Sequence, residues 1–394
     1  MNAWALLFWL AGFLLFYHLI GYPLLLAILA RLAGRPVRRG AFQPFISVIV
    51  PAHNEGQVIR LKLESLLTGD YPADQMEVIV AEDGSSDDTV AQASLVQDPR
   101  IYVDHSETRG GKMAAINRAV QRARGDYLVF TDANAILQPD ALKCVMSNFA
   151  DPQVGCVCGR KALSGGSLLE ANENLYWKYE SWIKRNESQL GSTPSAVGEL
   201  QAVRRGVFSL PGKQIINDDF AMVMNCVRQG YRAIYDPTAV TVEAGVDRMS
   251  AEYARKSRIA AGRWQIVAPM LRLGLRRPGF VAMFVSHKLL RLLVLPLLAA
   301  AFLGNLVAVL LRPADVSTTW PLLNLDAPWG ELALAAQLAF YLAAWVGALL
   351  DRRGKRVKLF YFPYFFLASQ AAALAGLLRF WSGRQSVLWN KARR

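Results

Sequence analysis

The sequence predicts an α/β domain on a doubly wound, mostly parallel sheet, set between membrane-spanning segments at its two ends. Short β-branched runs alternate with amphipathic stretches from Phe45 to about Asp236. Ala3 to Ala30 carries no formal charge, and long apolar runs return only after Val281. Strand and helix in repetition imply a parallel sheet covered on both faces. Apolar stretches of about 20 residues match the hydrocarbon thickness of a bilayer.

Each element follows from its own pattern. The runs ISVIVPA (Ile46 to Ala52), EVIVAED (Glu77 to Asp83), IYVD (Ile101 to Asp104), YLVFTD (Tyr127 to Asp132) and VGCVCG (Val154 to Gly159) read as strands. Between them, Gln57 to Leu67, Asp87 to Val96, Lys112 to Arg122 and Pro139 to Phe149 read as helices. A less regular portion follows, holding an aromatic helix (Leu175 to Arg185) and an acid-led helix (Asn217 to Gly230). From Arg248 to Arg291 ten Lys or Arg residues occur with one acidic residue, Glu252, which predicts a segment lying at a membrane interface. Apolar segments at Leu289 to Leu311, Leu332 to Leu350 and Leu359 to Leu378 complete the chain. The expected organisation is an anchor at 1–31, a catalytic domain at 45–246, a basic interfacial segment at 247–288, membrane segments at 289–380 and a basic tail at 381–394.

The hydrophobic fraction of 53% exceeds that of ordinary soluble proteins. The net charge of +13 is gathered beside apolar segments, at Arg31 to Arg39 and Arg352 to Lys358. Attraction to a membrane surface therefore explains it better than nucleic acid, which is not expected as a partner. The same charge distribution expects the catalytic domain on the cytoplasmic side of a plasma (inner) membrane. The tail fits that topology poorly, so the last apolar segment, carrying Pro363, is a candidate for re-entry rather than a full span. Residues 1–30 lack a basic leading region, which favours a retained anchor over a cleaved leader. Four cysteines without paired spacing are read as buried and reduced, and the four histidines show no metal-ligand spacing.

In an open parallel sheet, ligands bind beyond the carboxyl ends of the strands. Three polar clusters stand there: Pro51 to Glu55, Glu82 to Ser86 and Thr131 to Asn134. An Asp before Gly-Ser-Ser, Asp83, can accept hydrogen bonds from a base or ribose, though a capped turn also accounts for it. Gly110-Gly111-Lys112 puts backbone amides and an ammonium at a helix start, suited to phosphate; a flexible loop with a solvated lysine fits as well. Asp132 with Asn134 offers hard oxygen ligands for Mg²⁺ or Mn²⁺ against a diphosphate, and turns contain the same pair often. Asp218 and Asp219 open a helix, either to complement its dipole or to take a proton from an acceptor hydroxyl. Arg258, Arg263 and Trp264 are candidates for contact with a diphosphate or a sugar face.

Together VIVPAHNE, AEDGSSDDT, RGGKMAAIN, FTDAN, NDDF and GRW resemble, in order, the membrane-bound family-two glycosyltransferases, the group of cellulose, chitin and hyaluronan synthases. That resemblance implies a GT-A fold and displacement of a nucleoside diphosphate with inversion at the anomeric carbon. It places Pro51, Asn54, Glu55 and Asp83 at the nucleoside, and Lys112 near the nucleotide. It also puts Asp132 and Asn134 at metal and diphosphate, and makes Asp219 the general base. The processive members carry Gln or Arg three residues before Arg-Trp, whereas Ala260 stands there in this chain. Single transfer is therefore as open as polymerisation. The implied function is an inverting hexosyltransferase moving sugar from a UDP-sugar to a lipid-linked or growing saccharide acceptor, in exopolysaccharide or glycolipid synthesis. Membrane lipids and secretion or assembly proteins are the expected partners. Two alternatives stand beside it: a polyprenyl-phosphate sugar synthase, and a catalytically silent subunit that binds sugar nucleotide.

Overall fold

The structure is a computed structural model that describes residues 2–165, 167–209, 215–245, 248–312 and 320–383. Eight strands form one sheet: β1 (Ile46–Ala52), β2 (Met76–Glu82), β3 (Ile101–Asp104), β4 (Tyr127–Phe130), β5 (Ile136–Leu137), β6 (Val154–Ser164), β7 (Gln201–Arg204) and β8 (Arg232–Ala244). Their order is β3-β2-β1-β4-β7-β6-β8-β5.

Strands β3, β2, β1 and β4 are parallel, as expected from the βαβ pattern. Strands β6 and β8 are parallel too, so the sheet as a whole is mixed but mostly parallel, as expected. Strand β7 enters antiparallel to both β4 and β6, and β5 is antiparallel to β8. Neither β7 nor β8 was anticipated. β7 is four residues long, too short for a periodic signal, and β8 contains Pro237, which normally argues against a strand. The ladder explains Pro237. Between the pairs Cys158–Tyr235 and Arg160–Val240 the register shifts, so the proline sits in an irregularity that needs no ladder amide.

Both faces of the sheet are covered, and the side chains alternate accordingly. Ile49, Ile79, Leu128 and Phe130 pack against the helices Lys112–Arg122 and Asp218–Arg228. Val48, Val50, Val78 and Val129 face the helices Gly56–Leu67 and Ala141–Ser147. Cys156, Cys158 and Cys226 are buried, Cys144 is half-buried, and all four are free thiols.

A helix at Ala3–Ala33, another at Trp329–Arg352 and a third at Lys358–Trp381 are long and apolar enough to cross a membrane. The segment expected at 289–311 is not one straight span. Helix Pro278–Leu292 meets helix Val294–Leu310 at a bend of 65°. Pro296 stands in the first turn of the second helix, where its ring would collide with the carbonyl of Leu292 in a continuous helix. Conversely, Lys358–Trp381 runs unbroken through Pro363, a residue near enough to the helix start to cost one hydrogen bond. The tail from residue 384 onward lies outside the described residues.

The basic segment is mostly one helix, Met249–Arg272, and its charges turn largely inward. Arg255 reaches Glu173 and Glu252, at 3.1 and 2.8 Å, and Lys256 reaches Glu252 at 3.2 Å and Ser369 at 2.7 Å. This helix packs along Lys358–Trp381. Any side chain at Gly376 would meet Ala260 and the carbonyl of Ser257 at 2.6 Å, so glycine is what lets the two backbones approach. The Met249–Arg272 helix is thereby held by ion pairs to the helix carrying Glu173, and by a hydrogen bond and close packing to Lys358–Trp381.

Candidate active site

The parallel register brings the carboxyl ends of β2, β1 and β4 to one edge, with Ala52 beside Glu82 and Ile49 beside Phe130. Pro51 lies in β1 past the last β4 pair, so its missing amide interrupts no bond on that side. Asn54 follows with φ at 55°, and its side chain accepts from the Ser86 amide at 2.8 Å while its own amide donates to Ser85 Oγ at 3.0 Å. Glu55 is buried, and its amide donates to Thr89 Oγ1 at 2.8 Å. These bonds tie the turn after β1 to the turn after β2.

Asp83 has a structural task that its sequence setting does not reveal. Its Oδ1 accepts from the Gly110 amide at 2.7 Å, and its Oδ2 accepts from the Gly111 amide at 2.8 Å. Gly111 holds φ at 91°, a conformation that only glycine adopts without strain. The carboxylate thus fixes the loop that launches helix Lys112–Arg122 and aims its first residue.

Lys112 Nζ lies 3.0 Å from Asp132 Oδ1 and 3.5 Å from Asp218 Oδ2. Burial works against its charge, yet the two carboxylates hold its pKa above the usual lysine range. For Asp132, burial is the larger effect, and its pKa is raised despite Lys112. Arg258 is within electrostatic reach of Asp218, Asp132 and Asp219, and its buried Nε has no partner among the described residues. Phosphate oxygens would suit such an arginine and lysine facing one crevice.

Asp219 is the second residue of the helix Asp218–Arg228, and its Oδ1 accepts from the Phe220 amide at 2.8 Å. Burial, and then the neighbouring Asp218 carboxylate, raise its pKa to about 6. It lines a cavity of about 510 Å³, together with Gly198, Glu199 and Arg263. Phe362, Phe365 and Phe366 of the Lys358–Trp381 helix line it too. Trp264 does not line this cavity. Its ring packs beside Ala260, Leu292 and Ala373, which separates it from its motif neighbour Arg263.

Asn134 points its amide nitrogen at Glu243 Oε1, 2.7 Å away. Glu243 and Glu199 both contact Lys161, the latter at 2.6 Å. Burial opposes ionisation of Glu199, but Lys161 prevails and holds its pKa down to about 2. Behind the turn, Lys62 is fully buried and donates to Thr131 Oγ1 at 2.7 Å and to the Ala135 carbonyl. Burial lowers the pKa of Lys62 well below the lysine range. Sequence reading missed Lys62, Lys161, Glu199 and Glu243. Glu199 reaches the site because β7 runs antiparallel to β4 and starts at β4's carboxyl end, with Glu199 two residues before the Gln201–Phe130 pair.

No group of three or more His, Cys, Asp or Glu residues able to hold a metal occurs among the described residues. Asp132 engages Lys112 through Oδ1 only, and Asn134 retains an amide oxygen. One carboxylate oxygen and one amide oxygen are hard donors of the kind Mg²⁺ or Mn²⁺ takes, and the set fits such an ion once diphosphate oxygens are added.

Comparison with known proteins agrees with this architecture. Residues 47–210 match the family described as Glycosyl transferase family 2. A poly-beta-1,6-N-acetyl-D-glucosamine synthase of Staphylococcus aureus (strain COL) is 28% identical over 203 residues, which are 50% of this chain and 48% of that protein. A beta-monoglucosyldiacylglycerol synthase of Trichormus variabilis is 28% identical over 238 residues, 56% of this chain and 49% of that protein. The chain thus matches about half the length of these relatives. A solved mannosyltransferase from Pyrobaculum calidifontis, in complex with GDP-Man and Mn²⁺, superposes with a TM-score of 0.73 at 26% identity, covering 96% of this chain and 99% of that one. Its likeness spans the apolar helices as well as the sheet. Residues 47–210 thus match a Glycosyl transferase family 2 domain, and the mixed sheet has a GT-A-like fold.

Proposed function

We propose that the chain is an inverting glycosyltransferase moving one hexose from a UDP-sugar to a lipid-linked or saccharide acceptor held at the membrane. The observation that carries this reading is one cavity lined both by Asp219 and by the phenylalanines of an apolar helix. An acceptor anchored in a bilayer can present a hydroxyl to Asp219 without leaving the membrane. The relatives, by their names, synthesise poly-beta-1,6-N-acetyl-D-glucosamine and beta-monoglucosyldiacylglycerol, a glycan and a glycolipid.

The crevice edge would hold the donor. Asn54, Glu55 and Pro51 shape the nucleoside side, while Asp83 sets the Gly110-Gly111 loop so that Lys112 faces the diphosphate. Asp132 and Asn134 would hold Mg²⁺ or Mn²⁺. A divalent ion there neutralises charge on the departing diphosphate. Arg258, with Asp218 nearby, supplies a second cation to the same oxygens. Asp219 then takes the acceptor proton as the hydroxyl oxygen attacks the anomeric carbon from the opposite face. A base with a pKa of about 6 is mostly ionised at neutral pH, yet basic enough to accept the proton.

The three helices long and apolar enough to cross a membrane support a multi-pass enzyme, and the basic residues flanking them favour a catalytic domain on the cytoplasmic face of the inner membrane. The converging Lys112, Asp132 and Asp219 favour catalysis over a silent subunit. Incubating purified protein with UDP- and GDP-sugars, Mn²⁺ or Mg²⁺, and lipid or oligosaccharide acceptors, followed by mass analysis, tests the reading. Acceptor mass rising by one hexose with UDP released supports it. Absence of transfer with every donor and acceptor, while nucleotide binding persists, favours the silent subunit.

A further inference from the structure

A second cavity, of about 950 Å³, shares no lining residue with the one at Asp219. One wall is the Ala3–Ala33 helix, through Tyr22, Leu25 and Leu29, and another is the start of Pro278–Leu292, through Phe280 and Met283. Leu25 and Leu29 are exposed, so part of this apolar wall is uncovered by protein. The first helix is followed in the chain by Arg35 and the second is preceded by Arg276 and Arg277, so the two walls run in opposite directions with arginines at the same end. Hydroxyls of Tyr17 and Ser286, 2.9 Å apart, mark the other end. At the basic end Arg232 donates to the Arg35 carbonyl at 2.7 Å, and a side chain at Gly230 would meet the Arg277 guanidinium at 3.2 Å.

The charge at that end is unbalanced. No Asp or Glu is among the described residues that line the cavity. Two carboxylates stand behind the walls, and both are buried and engaged. Asp151 lies 3.7 Å from Arg232 and accepts from the Gln153 amide, while Glu187 accepts from Tyr22 and Thr193 and faces His287. Arg232 is itself committed, donating to the carbonyls of Ser188, Gly191 and Arg35. Arg35, Arg276 and Arg277 are exposed, and among the described residues their side chains make no hydrogen bond and no ion pair. Three guanidinium groups therefore converge beside an uncovered apolar wall.

Arginines at the end of a membrane-crossing helix sit in the headgroup layer, where lipid phosphate is the counter-charge at hand and a planar fork matches its oxygens. A free phosphate would answer the arginines and leave Leu25 and Leu29 uncovered. A zwitterionic lipid would cover the leucines but bring its own cation to the arginines. We infer that this cavity binds an anionic glycerophospholipid of the bilayer, its phosphate among Arg35, Arg276 and Arg277 and an acyl chain along Leu25, Leu29 and Met283. The lipid is neither donor nor acceptor of sugar, since Lys112, Arg258 and Asp219 do not line this cavity. It fills the space between the Ala3–Ala33 helix and the sheet domain, whose Gln153 and Tyr231 form a further wall.

Full-length protein in a neutral detergent is titrated with dioleoyl phosphatidylglycerol and, separately, dioleoyl phosphatidylcholine, and bound lipid is counted by native mass spectrometry. Wild type is expected to bind phosphatidylglycerol about tenfold more tightly than phosphatidylcholine, and millimolar inorganic phosphate is expected not to displace it. Removing two of the charges together, Arg276→Ala with Arg277→Ala, is expected to weaken phosphatidylglycerol about 30-fold. Arg353→Ala with Lys355→Ala removes the same charge from the exposed basic turn after Trp329–Arg352 and is expected to leave binding unchanged. Equal affinity of wild type for the two lipids overturns the inference, and so does displacement by phosphate, which would mean a site for any free anion. Equal weakening by the two double variants also overturns it, because the lipid would then answer to basic surface at large.

Discussion

The side-chain amide of Asn134 donates to Glu243 Oε1 at 2.7 Å, so the asparagine two residues after Asp132 is fixed by a carboxylate at the sheet's far edge. An aspartate there would set like charges against each other. Asparagine keeps an oxygen for a cation and a nitrogen for Glu243. In metal-free buffer, Asn134→Asp should be destabilised by about 1–3 kcal/mol, the usual cost of a lost buried partner. Mn²⁺ should then raise its Tm more than it raises that of wild type, because the added charge also strengthens ligation. Equal Mn²⁺ shifts in thermal melts would count against direct ligation by residue 134.

The acid limb of the rate profile should report Asp219. Its pKa of about 6 means the base is protonated, and inactive, below that value. kcat/KM should therefore fall tenfold per unit as pH drops below about 6. A flat profile between pH 5 and 7, under conditions where donor binding is constant, would remove Asp219 from the proton transfer.

Replacing Asp83 removes the acceptor for two loop amides, Gly110 and Gly111. Asp83→Ala should weaken UDP binding about tenfold and lower kcat, through misplacement of Lys112 rather than through a lost contact. Nucleotide titration and steady-state rates check this. Unchanged nucleotide affinity would mean that the loop holds its shape without Asp83.

Lys161 neutralises Glu199 and Glu243 together. Lys161→Ala leaves two carboxylates facing each other in a buried pocket, and should cost about 3–5 kcal/mol at neutral pH. Because Glu199 is held down to about 2, its stabilising contribution is full above about pH 4.5 and is lost as pH falls through 2. The deficit of the variant should narrow in acid. Denaturant titrations at pH 7 and pH 3 measure it.

How much of this was legible depended on where each residue's partners lie. The strands β1 to β4 announced themselves, because inner parallel strands are continuous apolar runs and their ends carry the polar turns. Asp83 and Asp132 were visible for that reason, whereas Lys112 and Asp219 stood out at helix starts. Glu199, Lys161 and Glu243 were not, because their strands are short, interrupted by Pro237 or reversed in direction, and only the antiparallel pairing of β7 carries them to the same edge. Arg263 and Trp264 show the opposite limit. Adjacent in sequence, they go to an open cavity and a packed seam respectively, because helix neighbours point about 100° apart.

The central claim is that Asp219 removes the acceptor proton. It is tested most directly by measuring sugar transfer and UDP binding on the same preparation of Asp219→Asn, beside wild type, with a lipid-linked acceptor. Loss of about 10²–10⁴-fold in kcat is expected, with UDP affinity within about twofold. Transfer at the wild-type rate with UDP bound normally would contradict the account.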